Sequence, residues 1–202
     1  MLVDIFRAAH MIQVMSKGDA TRERMVESAT HLFMAQGYAA TGLKQILEEG
    51  DAPRGSLYFH FPGGKEELAA AVVERHAELF ATQLEAALEG AGDVVSAVGL
   101  VLAHLAQLVE SGEGVGCPVS VVALEMAERS ATLQKATQGA FSRWAAVLWE
   151  ALVEDGMPEE EARRRARALL CAVEGALVLA RPAGDAGPLR DVASIVPALL
   201  GR

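Results

Sequence analysis

The side chains best equipped to recognise another molecule crowd into one short stretch. Arg54, Gly55, Ser56, Tyr58 and His60 follow one another closely, with Lys65 just beyond and Thr41 before them. Arg54 can fork onto a guanine edge or clamp a phosphate, and the Ser56 hydroxyl can reach either. Tyr58 and His60 offer donors suited to phosphates. Thr41, at a helix start with free amides, suits another, and Lys65 is well placed for one more. Gly55 costs a helix about 1 kcal/mol against Ala, a cost that close approach of the backbone to a ligand would justify. The contrasting reading is a helical hairpin that merely packs, with Tyr58, Phe59 and Phe61 as core.

The surrounding pattern supplies the elements that such a set needs. A first helix is expected from Asp19 or Thr21 to about Gln36, with Met25, Ala29, Leu32 and Phe33 on one face and Gly37 ending it. Thr41 caps a short helix from Gly42 to about Glu49, whose inner face is Leu43, Ile46 and Leu47. Gly50-Asp51-Ala52 makes a tight turn, and Pro53 opens a third helix that runs to Phe59 or His60 before Pro62-Gly63-Gly64. Two short helices joined by a Gly-containing turn and braced by a longer one form a helix-turn-helix pattern. Leu57 and Phe61 should face its core.

Beyond it, helices are expected over Lys65 to Glu89, Val94 to Glu110 with Asp93 as cap, and Pro118 to Arg129. Others should span Ala131 to Val153, Pro158 to Arg181 and Leu189 to Leu200. No strand alternation and no repeat appears, so the fold class is all-α. The domain expectation is an N-terminal extension over 1–18, a helix-turn-helix domain over 19–64 and a larger helical domain over 65–202. Met11 and Met15 are alternative starts, so part of the extension can be an artefact of start-site choice.

The formal charge is −9, in 202 residues. Up to Lys65 the basic residues Arg7, Lys17, Arg22, Arg24, Lys44, Arg54 and Lys65 are balanced by Asp4, Asp19, Glu23, Glu27, Glu48, Glu49 and Asp51. The acidic excess therefore belongs wholly to the remainder. That argues against nonspecific coating of DNA and for a few well-placed cations. The longest apolar candidate, Ala166 to Ala180, is too short to span a bilayer and is interrupted by Arg167 and Glu174. No membrane partner and a cytoplasmic location are expected. Cys117 and Cys171 lie in apolar surroundings and read as buried thiols that need no disulfide, a redox-sensor role being the alternative.

The run TGLKQILEEGDAPRGSLYFHFPGGKEEL, from Thr41 to Leu68, resembles the TetR family of transcriptional regulators. Its Ala-Pro-basic-Gly-Ser and Phe-Pro-Gly-Gly-Lys variants, with the later Gly116-Cys117-Pro118-Val119, look like the LmrA/YxaF-type branch. Two positions depart from the commoner family pattern: Asp51 stands where Gly is usual, and Pro53 where Ser or Thr often caps the third helix. The resemblance implies a homodimer on double-stranded, palindromic operator DNA, with a small-molecule effector. It implies DNA contacts from Thr41, Lys44, Arg54, Ser56, Tyr58, His60 and Lys65, with Phe59 as a further candidate, joined by Gly55 on the close-approach argument. It places the dimer interface on the last two helices, with Glu174, Gly175, Leu177, Ile195 and Leu199 as candidates. Glu174 can equally be a half-exposed structural carboxylate.

A ligand pocket among helices is largely apolar with few polar groups. Its candidates are His104 and Leu108, then Cys117, Val121 and Glu125, then Phe141, Trp144 and Leu148. The alternative is a helix-turn-helix protein whose second domain is solid and takes no effector. An enzyme is not expected. Arg7, Ser28, Leu57, Val73 and Val101 stand three places before the five histidines, so no Glu-x-x-His occurs. No Cys-x-x-Cys or phosphate-cradling loop occurs either. No catalytic residue, metal ligand or cofactor is assigned.

Overall fold

The computed structural model describes residues 17–112 and 116–201. The described residues form helices and turns and no strand, in agreement with the all-α expectation. In chain order the helices are α1 (Lys17–Gln36), α2 (Leu43–Glu49), α3 (Ser56–His60), α4 (Lys65–Ala91) and α5 (Val94–Ser111). They continue with α6 (Pro118–Met126), α7 (Ala131–Glu154), α8 (Glu159–Ala183) and α9 (Gly187–Leu199). Most of the expected extension, and residues 113–115 of the glycine-rich linker, lie outside the described residues. Lys17 and Gly18 belong to α1.

The helices gather into two compact units that follow packing rather than chain order. The first unit holds α1 to α3, α4 through Ala77, α6 and α7 through Ala140. Its core is Met25, Val26, Ala29 and Phe33 of α1, Ile46 and Leu47 of α2, Leu57 of α3 and Phe61 after it, and Leu68 and Val72 of α4. Val119 and Val122 of α6 and Leu133 of α7 complete it. A turn locks α2 against α1. The Ala52 amide donates to the Leu47 carbonyl at 2.9 Å and the Asp51 amide to that of Glu48 at 3.4 Å, a Schellman arrangement. Asp51 takes the left-handed conformation this needs, at φ 44, where aspartate is better tolerated than most side chains. Arg24 on α1 donates to the Gly50 carbonyl at 2.9 Å. A Cβ at Gly50 would sit 2.9 Å from the Ser28 hydroxyl and 3.1 Å from the Arg24 carbonyl, so glycine permits this approach.

Several helix ends differ from expectation, each for a local reason. The third helix starts at Ser56 rather than Pro53, because the Pro53 carbonyl accepts the Ser56 amide at 2.9 Å and its hydroxyl at 2.5 Å in a preceding turn. Thr41 does not cap α2. Gly42 precedes it, and Gln45 reaches back to accept the Gly42 amide at 2.9 Å. The sixth helix ends at Met126, ahead of a turn through Arg129. Ser130 then caps α7 by accepting the Leu133 amide at 3.1 Å and donates to Glu66 at 2.7 Å.

The second unit holds α4 from Glu78, α5, α7 from Phe141, α8 and α9. Asp93 caps α5 as expected, accepting the Ser96 amide at 2.9 Å. Trp144 is buried, with its ring edge-on to Phe80 at 4.9 Å and to Phe141 at 5.6 Å. The inner face of α8 is Ala162, Ala166, Leu169, Val173, Ala176, Leu177 and Ala180, a helical spacing of small and medium residues against which α9 packs. On α8, Glu159 pairs with Arg163 at 2.5 Å and Glu161 with Arg165 at 2.6 Å, each one turn apart. Both arginines make a second contact. Arg163 lies 3.8 Å from the Trp149 ring centre, and Arg165 donates to the Leu199 carbonyl at 2.9 Å, closing the end of α9.

Two sequence expectations need correction here. The most apolar helical stretch is α5 and not Ala166–Ala180. Val94–Ser111 has 18 residues with mean hydropathy 1.6, so by length and composition alone it could cross a membrane. Val94, Ala97, Val98, Val101, Leu102, Ala106 and Val109 are nonetheless buried in the second unit, as expected of a core helix. Cys117 is buried as expected, whereas Cys171 is exposed because it points away from the inner face of α8.

Candidate nucleic-acid interface

The candidate interface is built on α3, a helix of only five residues that presents two contrasting faces. Leu57 is 2% exposed and Phe61 is 1% exposed, which pins that side into the core. Tyr58 is 63% and Phe59 79% exposed on the other. Pro53, Arg54 and Gly55 are exposed in the turn just before, and the space around a Cβ on Gly55 is open. His60 is partly exposed, with its ring edge-on to Phe59 at 4.9 Å. The Ser56 hydroxyl gives its proton to Pro53 and keeps its lone pairs for an incoming donor. On α2, the exposed Lys44 lies 3.6 Å from Glu48, one turn along, an exposed pair of small energetic weight. The structure therefore brings Lys44, Arg54, Gly55, Ser56, Tyr58 and His60 to the surface of one unit. The hairpin reading that buried Tyr58 and Phe59 fails on their exposure; for Phe61 it holds.

Two members of the expected set are turned inward. Thr41 is 1% exposed, with its hydroxyl donating to the Gly37 carbonyl at 2.7 Å and accepting from Gln36 at 3.2 Å. It secures the link between α1 and α2 instead of facing a phosphate. The Lys65 ammonium donates to the Tyr38 carbonyl at 2.6 Å and lies 4.2 Å from the centre of the Tyr38 ring. Burial pulls the Lys65 pKa below its ordinary value, against the opposing pull of the Glu125 carboxylate.

The sequence reading missed what Glu125 does. Its carboxylate, on α6, accepts the Tyr38 amide at 3.1 Å and the Ala39 amide at 2.6 Å. Two consecutive backbone N–H groups thus close on one charged acceptor, a stronger arrangement than neutral hydrogen bonds. Gly37, at φ 91, leaves room for it, since a Cβ there would fall 2.6 Å from the carboxylate oxygen. Burial, then Glu66 and Glu125, raise the Tyr38 phenol pKa. Glu125 was expected among ligand-binding residues, and it is occupied instead as the clamp on the α1–α2 link. A sequence signal existed only in outline: a carboxylate on a short apolar helix, with nothing to show which distant amides it would meet.

The rest of the expected ligand set divides. Trp144 and Leu148 line an apolar cavity of about 30 Å³ in the second unit, together with Phe80, Leu102, Leu169 and Val173. His104, Leu108 and Phe141 belong to that unit but not to the lining. Burial lowers the His104 pKa from its ordinary value. Cys117 and Val121 sit with Glu125 on the first unit. Of the expected dimer residues, Gly175 and Ile195 are exposed and Glu174 and Leu199 partly so. Leu177 is 8% exposed and belongs to the core; the sequence reading overlooked its neighbours Val178 and Leu179, 57% and 63% exposed.

Comparison with known proteins adds the following. The family described as bacterial regulatory proteins, tetR family, matches residues 26–72, and the LmrA/YxaF-like transcriptional regulator C-terminal domain matches residues 94–195. The chain is 36% identical over 189 residues to the HTH-type transcriptional regulator LmrA of Bacillus subtilis, covering 93% of this chain and 100% of that one. It is 36% identical over 186 residues to YxaF of the same organism, covering 92% and 97%. A TetR transcriptional regulator from Legionella pneumophila superimposes with a TM-score of 0.80 at 23% identity, over 93% of this chain and 98% of that one. One from Chloroflexus aurantiacus gives 0.78 at 28% identity, again over 93% and 98%.

Replacing Glu125 by Gln puts an N–H group where one backbone amide now finds an acceptor. The variant should lose about 1–3 kcal/mol of stability, read by urea denaturation. Hydrogen exchange at the Tyr38 and Ala39 amides should quicken; unchanged exchange at both would show that the clamp is not formed in solution.

Proposed function

The chain belongs to the TetR family of DNA-binding transcriptional regulators, in its LmrA/YxaF-like branch, and on that premise we propose that it is a ligand-released repressor acting in the cytoplasm. Its relatives are regulators and not enzymes. The observation that carries the reading is the two-faced α3, with Leu57 and Phe61 inside and Tyr58 and Phe59 outside. In this reading α3 enters the major groove, Arg54 meets a guanine edge or a phosphate, and Lys44, Ser56, Tyr58 and His60 make the flanking contacts. Gly55 keeps the approach open. A homodimer places two such helices on the halves of a palindrome, roughly 34–36 Å apart.

The exposed apolar face of α8 and α9 supports pairing of two copies. Cys171, Gly175, Val178 and Leu179 share that face of α8, and Ile195 is exposed on α9. For the effector, the apolar seam around Trp144 and Leu148 is the proposed entry point. Its cavity of about 30 Å³ must widen before a compound needing a few hundred Å³ can enter. Binding and release of DNA are then linked equilibria, with α4 as the continuous helix shared by both units. The small cavity equally favours a second reading, a DNA-binding protein with no small-molecule effector.

Four outcomes are expected. Duplexes selected from a random pool by the full chain share a palindromic site. Arg54→Ala and Tyr58→Ala each weaken that binding about tenfold or more without changing the oligomeric state, measured by fluorescence anisotropy and analytical ultracentrifugation. Unchanged affinity in both would remove α3 as the reading surface. Leu179→Asp, placing a charge on the exposed α8 face, converts the dimer to monomer at micromolar concentration. A thermal-shift screen of planar aromatic compounds separates the two readings, since only a ligand-released repressor gives a compound that both raises the Tm and frees the DNA.

A further inference from the structure

The exposed face of α3 ends in a ring that can make no hydrogen bond. At about 100° per residue, Leu57 and Phe61 point to the same side of the helix, and Phe59 lies almost opposite them. Tyr58 and Ser56 flank it on either side. Phe59 is therefore the outermost side chain of α3, 79% exposed and steadied by the edge-on His60 ring at 4.9 Å. An apolar ring held in water at the tip of a DNA-reading helix has few partners on a duplex. Phosphates and the donors and acceptors of the base edges are polar. The apolar group on the major-groove floor is the C5-methyl of thymine.

We propose that Phe59 is a specificity-determining residue that reads thymine by packing its ring on the C5-methyl group. The inference rests on the reading of α3 as the groove-entering helix and adds the base it selects. Polar neighbours such as Arg54, Ser56 and Tyr58 supply hydrogen bonds and charge, and Phe59 supplies discrimination by shape and apolar contact. Its gain on binding is the apolar surface of one methyl and part of one ring removed from water.

The test uses the full chain and a duplex selected from a random pool. Each thymine in that duplex is replaced in turn by deoxyuridine, which keeps the hydrogen bonds and removes only the methyl. Affinity is measured for the native protein, Phe59→Ala and Phe59→Leu. One replaced thymine should weaken the native protein about fourfold for each methyl lost. The same replacement should leave Phe59→Ala unaffected, while Phe59→Leu, which keeps an apolar tip, retains part of the sensitivity. Phe59 is so exposed that Phe59→Ala should fold with an unchanged Tm. The proposal is overturned if no uridine replacement weakens the native protein, which would leave Phe59 on the sugar or out of contact. It is also overturned if the uridine penalty persists undiminished in Phe59→Ala. Failure of the native protein to select any duplex would remove the reading of α3 itself, an outcome distinct from either of these.

Discussion

A five-residue helix cannot hold itself together. Nucleating one turn fixes several residues for a single hydrogen bond, and isolated helices this short are not stable in water. Everything that α3 does therefore depends on its being held from behind, and the anchoring of Leu57 and Phe61 in the first unit's core supplies that hold. Because one side is committed to the core, the other is committed to solvent with a fixed order of side chains. The orientation of the exposed Tyr58 and Phe59 follows from burial of their neighbours.

The support behind α3 is itself layered. The Schellman turn after α2 sets where the chain enters Pro53, and Arg24 ties the Gly50 carbonyl from α1. Glu125 holds the Tyr38 and Ala39 amides, and Lys65 holds the Tyr38 carbonyl from the other side. Two cations that look available in the sequence, Arg24 and Lys65, are thus engaged with backbone carbonyls. The balance of charge over the first third of the chain overstates what is left to meet DNA. The cations that remain at the surface of α2 and the α3 turn, Lys44 and Arg54, become correspondingly more important.

Much of this was legible in the sequence, and the limits are physical. Helix order, the Asp93 cap, the Gly37 stop and the inward Leu57 and Phe61 follow from periodicity and backbone preference, which are local. The start of α3 was misplaced because Pro53 satisfies the helix-start rule equally well in a turn. Thr41 was assigned outward because its type suits a phosphate, yet a hydroxyl suits a buried carbonyl as well, and only packing decides between them. Leu177 and Leu179 are alike in type and differ by two positions; which one faces the core depends on the rotation of α8, finer than a periodic pattern fixes. Glu125 was the largest loss, since its partners lie 86 and 87 positions away.

That separation bears on how the protein comes into being. The first unit takes its last elements from Cys117–Ala140, long after α3 has been synthesised. Until α6 emerges, the Tyr38 and Ala39 amides lack their carboxylate, and Val119 and Val122 are missing from the core. A nascent chain or a fragment ending after α4 has the whole recognition sequence but an unfinished fold around it. The price of closing so long a loop grows only slowly with its length, so a distant helix can complete the unit at little extra entropic cost. Completion of the first unit thus waits for α6 and the start of α7, with α5 already made and α8 and α9 of the second unit still to come.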